Sequence, residues 1–279
     1  MNENKKKLEP IDFKKIIRSQ ENKTVRNLPN FVINIAKRIL KEKQLNKYIK
    51  ANGDKFNVDF IKGSHEYFNV DVEQYGLEQL DPNGRYIFAC NHPIGGLDFS
   101  SAIYVLSDKF PKIKVIANKI LTGLANIREM LLPVGVFEKT DKEDKERLER
   151  IMSDDEHQIL TFPAGRVSRK IDGKVQDLPW HRSFIRQAIQ YEREVVPVYI
   201  DSFNSKFFYN IGRLRTFLGI KANIELFFII GEQFKKYNET IPIYFGKPIH
   251  YSTFIDDKTH LEWAQEVRQI TCNLSKKKV

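Results

Sequence analysis

The sequence predicts an α/β fold: a central, mostly parallel sheet covered by helices on both faces, with a basic helical region at the amino terminus. Three observations carry this expectation. From residue 84 onward, short apolar runs alternate with stretches of helical length, as in strands joined by crossover helices. The chain has 279 residues, 41% of them hydrophobic and 29% charged, enough apolar material for one large core. That balance excludes collagen-like, low-complexity and generally disordered chains. Third, the net charge of +10 is uneven: residues 1–62 hold 16 Lys and Arg against 7 Asp and Glu, whereas the remainder is nearly balanced.

Taken in order, residues 1–62 read as a basic amphipathic region and 63–279 as the α/β domain. Pro29 to Ala51 is expected to be one helix, with Phe31, Val32, Ile35, Ile39, Leu45, Tyr48 and Ile49 along an apolar stripe. Its lysines and arginines suit either an anionic lipid interface or a face docked on the core. Asp81-Pro82-Asn83-Gly84 is a turn signal. Strands are expected at Arg85–Cys90, Ile113–Ala117, Val134–Phe137, Gln158–Phe162, Val195–Ile200, Ile224–Ile230 and Ile241–Phe245. Helices are expected near Asp98–Ser107, Ile120–Leu132, Asp141–Met152, Trp180–Tyr191 and His260–Leu274.

No secretory segment is evident, and no charge-free stretch approaches the roughly 18 apolar residues of a spanning helix. Cys90 and Cys272 show no CxxC spacing, so a reducing cytosol is the expected compartment. His65, His157, His181, His250 and His260 lack metal-ligand spacing, and no metal site is expected. P-loop, GxGxxG and GxSxG patterns are absent from the sequence. The basic head alone is also compatible with nucleic acid, but no stretch interleaves aromatic and basic residues as a recognition motif, so no nucleic-acid partner is expected.

In open α/β sheets, functional residues sit beyond the carboxyl ends of strands. Asn91-His92-Pro93-Ile94-Gly95-Gly96-Leu97-Asp98 occupies such a place. A neutral imidazole can take a proton from a hydroxyl, and a carboxylate reached by the glycine bend can hold its other nitrogen. A helix-capping His92 beside an ordinary helical Asp98 fits the same residues. Cys90, two positions before His92, offers a covalent alternative. A second strand runs into Phe162-Pro163-Ala164-Gly165-Arg166-Val167-Ser168-Arg169-Lys170, a loop with guanidinium groups and amides able to face an anion.

Together these segments resemble the lysophospholipid (PlsC-type) acyltransferase superfamily. Its first motif, Asn-His, four residues, Asp, is matched by Asn91-His92 and Asp98 with five residues between. Its motif Phe-Pro-Glu-Gly-Thr-Arg-Ser is matched by Phe162, Pro163, Gly165 and Ser168, with Ala164 in place of the glutamate. Lys119 with Ile120-Leu121 resembles the Lys-x-Glu-Leu segment, without its Glu. Leu132 to Phe137 occupies the second motif's place with Lys139 in its arginine's stead; Val195 to Val198 and Phe245 to Ile249 match the later elements. The likeness covers roughly 60% of the chain, from about residue 84 to 250.

The resemblance implies that His92 is the general base and Asp98 its orienting partner. It implies that Asn91, Gly95, Lys119, Phe162, Pro163, Gly165, Arg166, Ser168 and Arg169 line the substrate site, with oxyanion donors among the amides near Gly95 or Gly165. No cofactor is implied; acyl-CoA or acyl-ACP is the co-substrate and a lyso-lipid the acceptor. The Asn-His-Pro-Ile-Gly-Gly-Leu-Asp form resembles a hemolysin-like branch that is similar to the O-acyltransferases of ornithine- and glycine-lipid synthesis. Ala164 and the nearby guanidinium groups favour an amino-acid lyso-lipid over lysophosphatidate, which stays the alternative. Such an enzyme is expected in the cytoplasm, peripheral on the inner face of the membrane.

Overall fold

The run Tyr86–Cys90 is buried along its whole length, and the fold is built around it. A computed structural model describes residues 8–19, 26–134, 141–219, 224–255 and 257–274. Successive side chains of a strand point to opposite faces. Tyr86, Phe88 and Cys90 accordingly enter one hydrophobic cluster, and Ile87 and Ala89 enter another on the opposite face. Each buried large apolar side chain contributes roughly 1.5–3 kcal/mol, so helices on both sides are required.

Those helices are α1 (Phe13–Arg18), α2 (Asn30–Ile39), α3 (Glu42–Asn52), α4 (Asn57–Phe68), α5 (Gly96–Leu106), α6 (Lys142–Ser153), α7 (Ser183–Gln190), α8 (Lys206–Phe217), α9 (Ile229–Phe234) and α10 (His260–Leu274). The strands are β1 (Asp71–Tyr75), β2 (Tyr86–Cys90), β3 (Ile113–Asn118), β4 (Leu131–Val134), β5 (Gln158–Thr161), β6 (Arg169–Ile171), β7 (Lys174–Gln176), β8 (Glu194–Ile200) and β9 (Thr240–Phe245). α3, α4 and α5 supply Tyr48, Ile61 and Ile103 to the first cluster; α6, α7 and α10 supply Met152, Phe184 and Val267 to the second.

The main sheet runs β1-β9-β8-β2-β5-β3-β4, and β6 with β7 forms a separate hairpin. Among the described residues of the main sheet, β8–β9 is the antiparallel pair and the other pairs are parallel. Because β2 and β5 are parallel neighbours with Ala89 opposite Thr161, the loops that follow them leave the same edge side by side.

Several expectations are corrected. Residues 29–51 form two helices, not one: Lys41 turns left-handed at φ 55°, and Phe31 and Ile35 lie exposed while Ile33 is buried. Ile120–Leu132 is not a helix; two short 3-10 turns precede β4, whose Leu131 and Leu132 pair with β3. Ile224–Ile230 is not a strand but a 3-10 turn and the start of α9, because Glu225 is drawn into a buried ion cluster. Of the expected strand Val134–Phe137, Val134 belongs to a strand that begins earlier, at Leu131; residues 135–137 and Lys139 lie outside the described residues. β1 was not anticipated: it is a polar edge strand beside β9, without the apolar run that marks the others.

On α4, His65 is 2% exposed and its Nδ1 contacts the Val70 carbonyl at 3.2 Å, with its ring 4.6 Å from that of Tyr104. Burial pushes its pKa below the ordinary imidazole value. The folded protein therefore binds fewer protons than the unfolded chain near that value, and stability falls as pH drops through about 6.5. Urea melts across pH should show this slope, and His65→Gln should flatten it; an unchanged slope would contradict a neutral buried ring.

Candidate active site

The site grows from the β2 exit. Asn91 continues the strand by its side chain: Nδ2 donates to the Ile200 carbonyl at 3.0 Å, and Oδ1 accepts from the Ile200 amide at 2.7 Å. His92 follows, then Gly95 bends the chain at φ 99°, ψ −125°, a conformation open to glycine alone. A Cβ there would also stand 3.0 Å from Ile229. The bend starts α5 and brings Asp98, six residues on, back beneath the imidazole.

Asp98 is fully buried, and its Oδ2 lies 2.8 Å from His92 Nδ1. The same carboxylate accepts from the amides of Ile94 at 2.9 Å and Gly95 at 2.8 Å. Burial raises its pKa, while the contact with His92 and the two amides pull it back. A group surrounded by two N–H donors is an acceptor, so the third contact requires the proton on Nδ1 of His92. The lone pair is then on Nε2, which has no partner among the described residues. The His92 side chain is 20% exposed, so solvent reaches it. Phe162 confines the ring from the neighbouring loop, with centroids 4.6 Å apart.

The second loop is locked to the first. The Ser168 amide donates to the His92 carbonyl at 2.7 Å. Asp177, 3% exposed, accepts from the His92 amide at 3.2 Å, from the Ser168 hydroxyl and from the Trp180 indole at 3.0 Å. Asp177 is the positioning residue that sequence reasoning missed; the only hint was a tryptophan whose indole must find an acceptor when buried. The segment Trp180-His181-Arg182 flanks the loop: the His181 amide donates to the Pro163 carbonyl at 2.9 Å, and its ring stands 3.7 Å from where a Gly165 Cβ would lie.

The other candidates divide. Asn91, Gly95, Phe162, Pro163, Gly165 and Ser168 gather around His92 through these contacts. Ala164, where the resembling motif has a glutamate, is a buried methyl in the second cluster. Arg169 turns away: its guanidinium is 3.0 Å from the fully buried Glu225, which also holds Arg215 at 3.0 Å. Arg166 stays exposed on the loop. Lys119 lies beyond β3, two strands from β2, paired with Asp141 and Asp144. The Gly95 and Gly165 amides are committed to Asp98 and to the Phe162 carbonyl, so neither is an available oxyanion donor. Cys90 is fully buried, and burial pushes its thiol well above the usual range, which removes it as a nucleophile. Among the described residues, no three His, Cys, Asp or Glu gather as a metal site.

Among the described residues no nucleophilic side chain contacts Nε2 of the His92–Asp98 pair, an arrangement that suits group transfer with a substrate as nucleophile. Comparison with known proteins agrees: residues 15–277 match the acyltransferase family, and the chain belongs to it. It is 36% identical over 265 residues to a lyso-glycine lipid O-acyltransferase of Bacteroides thetaiotaomicron, covering 95% of this chain and 97% of that protein. It is 33% identical to a lyso-glycine lipid O-acyltransferase of Phocaeicola vulgatus, covering 95% of each. Among solved structures, the 1-acyl-sn-glycerophosphate (LPA) acyltransferase PlsC of Thermotoga maritima matches with a TM-score of 0.49 at 16% identity, over 79% of this chain and 81% of that one.

Two outcomes follow from the packing. Cys90→Ala retains turnover, and Cys90 resists maleimide in the native protein at mildly alkaline pH; rapid labelling would contradict its burial. Asp177→Ala strands three donors and lowers unfolding free energy by roughly 3 kcal/mol in urea titration, with turnover falling because the His92 loop loses its anchor.

Proposed function

We propose that this acyltransferase moves a fatty acyl group from a thioester of acyl carrier protein or coenzyme A to the hydroxyl of an amino-acid lyso-lipid, the glycine type being favoured. The observation that carries the chemistry is the 2.8 Å contact between His92 Nδ1 and the buried Asp98. The acceptor class is supported by the names of two relatives that cover nearly the whole chain. The enzyme works at the inner face of the membrane as a peripheral protein; no described helix is long and apolar enough to cross a membrane.

In the proposed reaction, Nε2 of His92 removes the proton from the acceptor hydroxyl as its oxygen attacks the thioester carbonyl. Asp98 stabilises the imidazolium that forms. The tetrahedral oxyanion collapses, the carbon–sulfur bond breaks, and the leaving thiolate takes the proton from His92. An ester and a free thiol result, with no net proton change and no cofactor. Of the cationic groups in the Phe162–Lys170 loop, Arg166, exposed beside Gly165, is the proposed contact for the acceptor's carboxylate. A planar guanidinium suits a carboxylate through paired hydrogen bonds.

Positioned general-base catalysis is worth roughly 10²–10⁴ in rate. Purified protein given an acyl thioester should acylate lyso-glycine lipid in preference to lysophosphatidate, with mass spectrometry as the readout. His92→Ala should lose measurable turnover at unchanged melting temperature. Asp98→Asn should lose about 10²-fold or more, because a neutral amide no longer stabilises the imidazolium that forms. Near-normal acyl transfer by folded His92→Ala protein would overturn the mechanism.

A further inference from the structure

Between β8 and β9 the chain inserts α8, a 3-10 turn and α9, a segment the reaction does not use. Its outer surface carries Phe203, Phe207, Leu214, Phe217, Leu218 and Phe227, all exposed, with Phe217 at 86%. Monomeric proteins rarely display so many large apolar side chains together without a partner. The exposed charges between Ser202 and Phe234 have one sign, exposed carboxylates standing at the segment's ends, at Asp201 and at Glu239 paired with Lys236. From Ser202 to Phe234 the only carboxylates are Glu225 and Glu232, both buried and ion-paired, Glu225 to Arg169 and Arg215 and Glu232 to Lys235. What remains outside is cationic: Lys206, Arg213 and Lys235 are exposed. The Lys235 ammonium lies 5.7 Å from the Phe207 ring centroid and that of Lys236 5.2 Å from Phe203. On α8, a shallow groove of about 310 Å³ runs between Asn210, Arg213, Leu214 and Phe217.

This segment is tied to the catalytic loop by several contacts. Asn204 donates to the Pro93 carbonyl at 3.1 Å, Ile229 lies against Gly95, and Glu225 binds Arg169 of the second loop. Gly231 of α9 also lies against Ile39 and Lys41, where the basic amino-terminal region meets it.

We propose that the exposed face of residues 203–219 and 224–235 is the membrane-docking surface, seating its aromatic and aliphatic side chains among acyl chains and its Lys206, Arg213 and Lys235 among anionic headgroups. Protruding phenylalanines flanked by cations, with both carboxylates of residues 202–234 withdrawn inside, match an anionic bilayer surface in both polarity and charge. The fixed ties to Pro93, Gly95 and Arg169 then hold His92 in constant relation to the interface. The proposal rests on the lipid acceptor assigned above, and its test keeps the two separable.

The test is co-sedimentation of the full chain with mixed phosphatidylglycerol–phosphatidylcholine vesicles and with pure phosphatidylcholine vesicles. Phe217→Ser with Leu218→Ser should weaken binding to both by about tenfold or more. Lys206→Gln with Arg213→Gln should remove about fivefold per residue, from the phosphatidylglycerol vesicles alone. Turnover on detergent-dispersed substrates should stay normal in both variants. Vesicle binding unchanged by Phe217→Ser with Leu218→Ser would overturn the proposal. So would binding lost only through Phe31→Ser with Ile35→Ser on α2, or a defect confined to donors borne on the acidic acyl carrier protein. Binding that depends on this face in a protein that acylates no lyso-lipid would instead sink the acceptor reading and leave the docking surface standing.

Discussion

Everything at this site depends on one buried carboxylate. Asp98 has no contact with solvent and would be costly as a lone anion, so its charge exists only because three N–H groups converge on it. Two are backbone amides released by the glycine bend, and the third is the His92 ring. The same geometry that makes the anion tolerable fixes the imidazole's tautomer and direction. Burial holding the carboxyl's pKa up is thus the counterpart of a strong, desolvated contact with the imidazole it orients.

The sheet order provides the second constraint. Parallel pairing of β2 with β5 makes two loops from distant parts of the chain emerge together, and antiparallel β9 closes the other flank of β8. Asp177 then binds the His92 amide, the Ser168 hydroxyl and the Trp180 indole at once, so the imidazole sits on a frame held from three directions. The Arg169–Glu225–Arg215 cluster extends that frame outward. A buried charge with one partner removed is strongly destabilising, and here the partners come from three separate segments.

How much of this was legible in the sequence followed from where each signal lies. β2, β5 and β8 are buried on both faces, so their apolar runs announce them. β1 has an exposed, polar edge and announces nothing. Ile224–Ile230 reads as a strand by composition alone, yet a single buried Glu225, invisible without its distant arginines, decides its conformation. His92 and Asp98 were readable because their chemistry and spacing are local. Asp177 was not, since its importance arises only when donors up to 85 residues away are brought to it. Arg169 showed the converse: its charge was plain, but its commitment to Glu225 is a tertiary fact.

The central claim is that Asp98 holds His92 with the proton on Nδ1 and the lone pair on Nε2. Nitrogen-15 NMR of protein labelled at histidine, with His92 assigned by the signal missing in His92→Gln, reads that tautomer directly. The expected result is a protonated Nδ1 and an unprotonated Nε2 in the resting enzyme, with that preference lost in Asp98→Ala. A resting His92 protonated at Nε2, or a ring exchanging freely between tautomers, would contradict it.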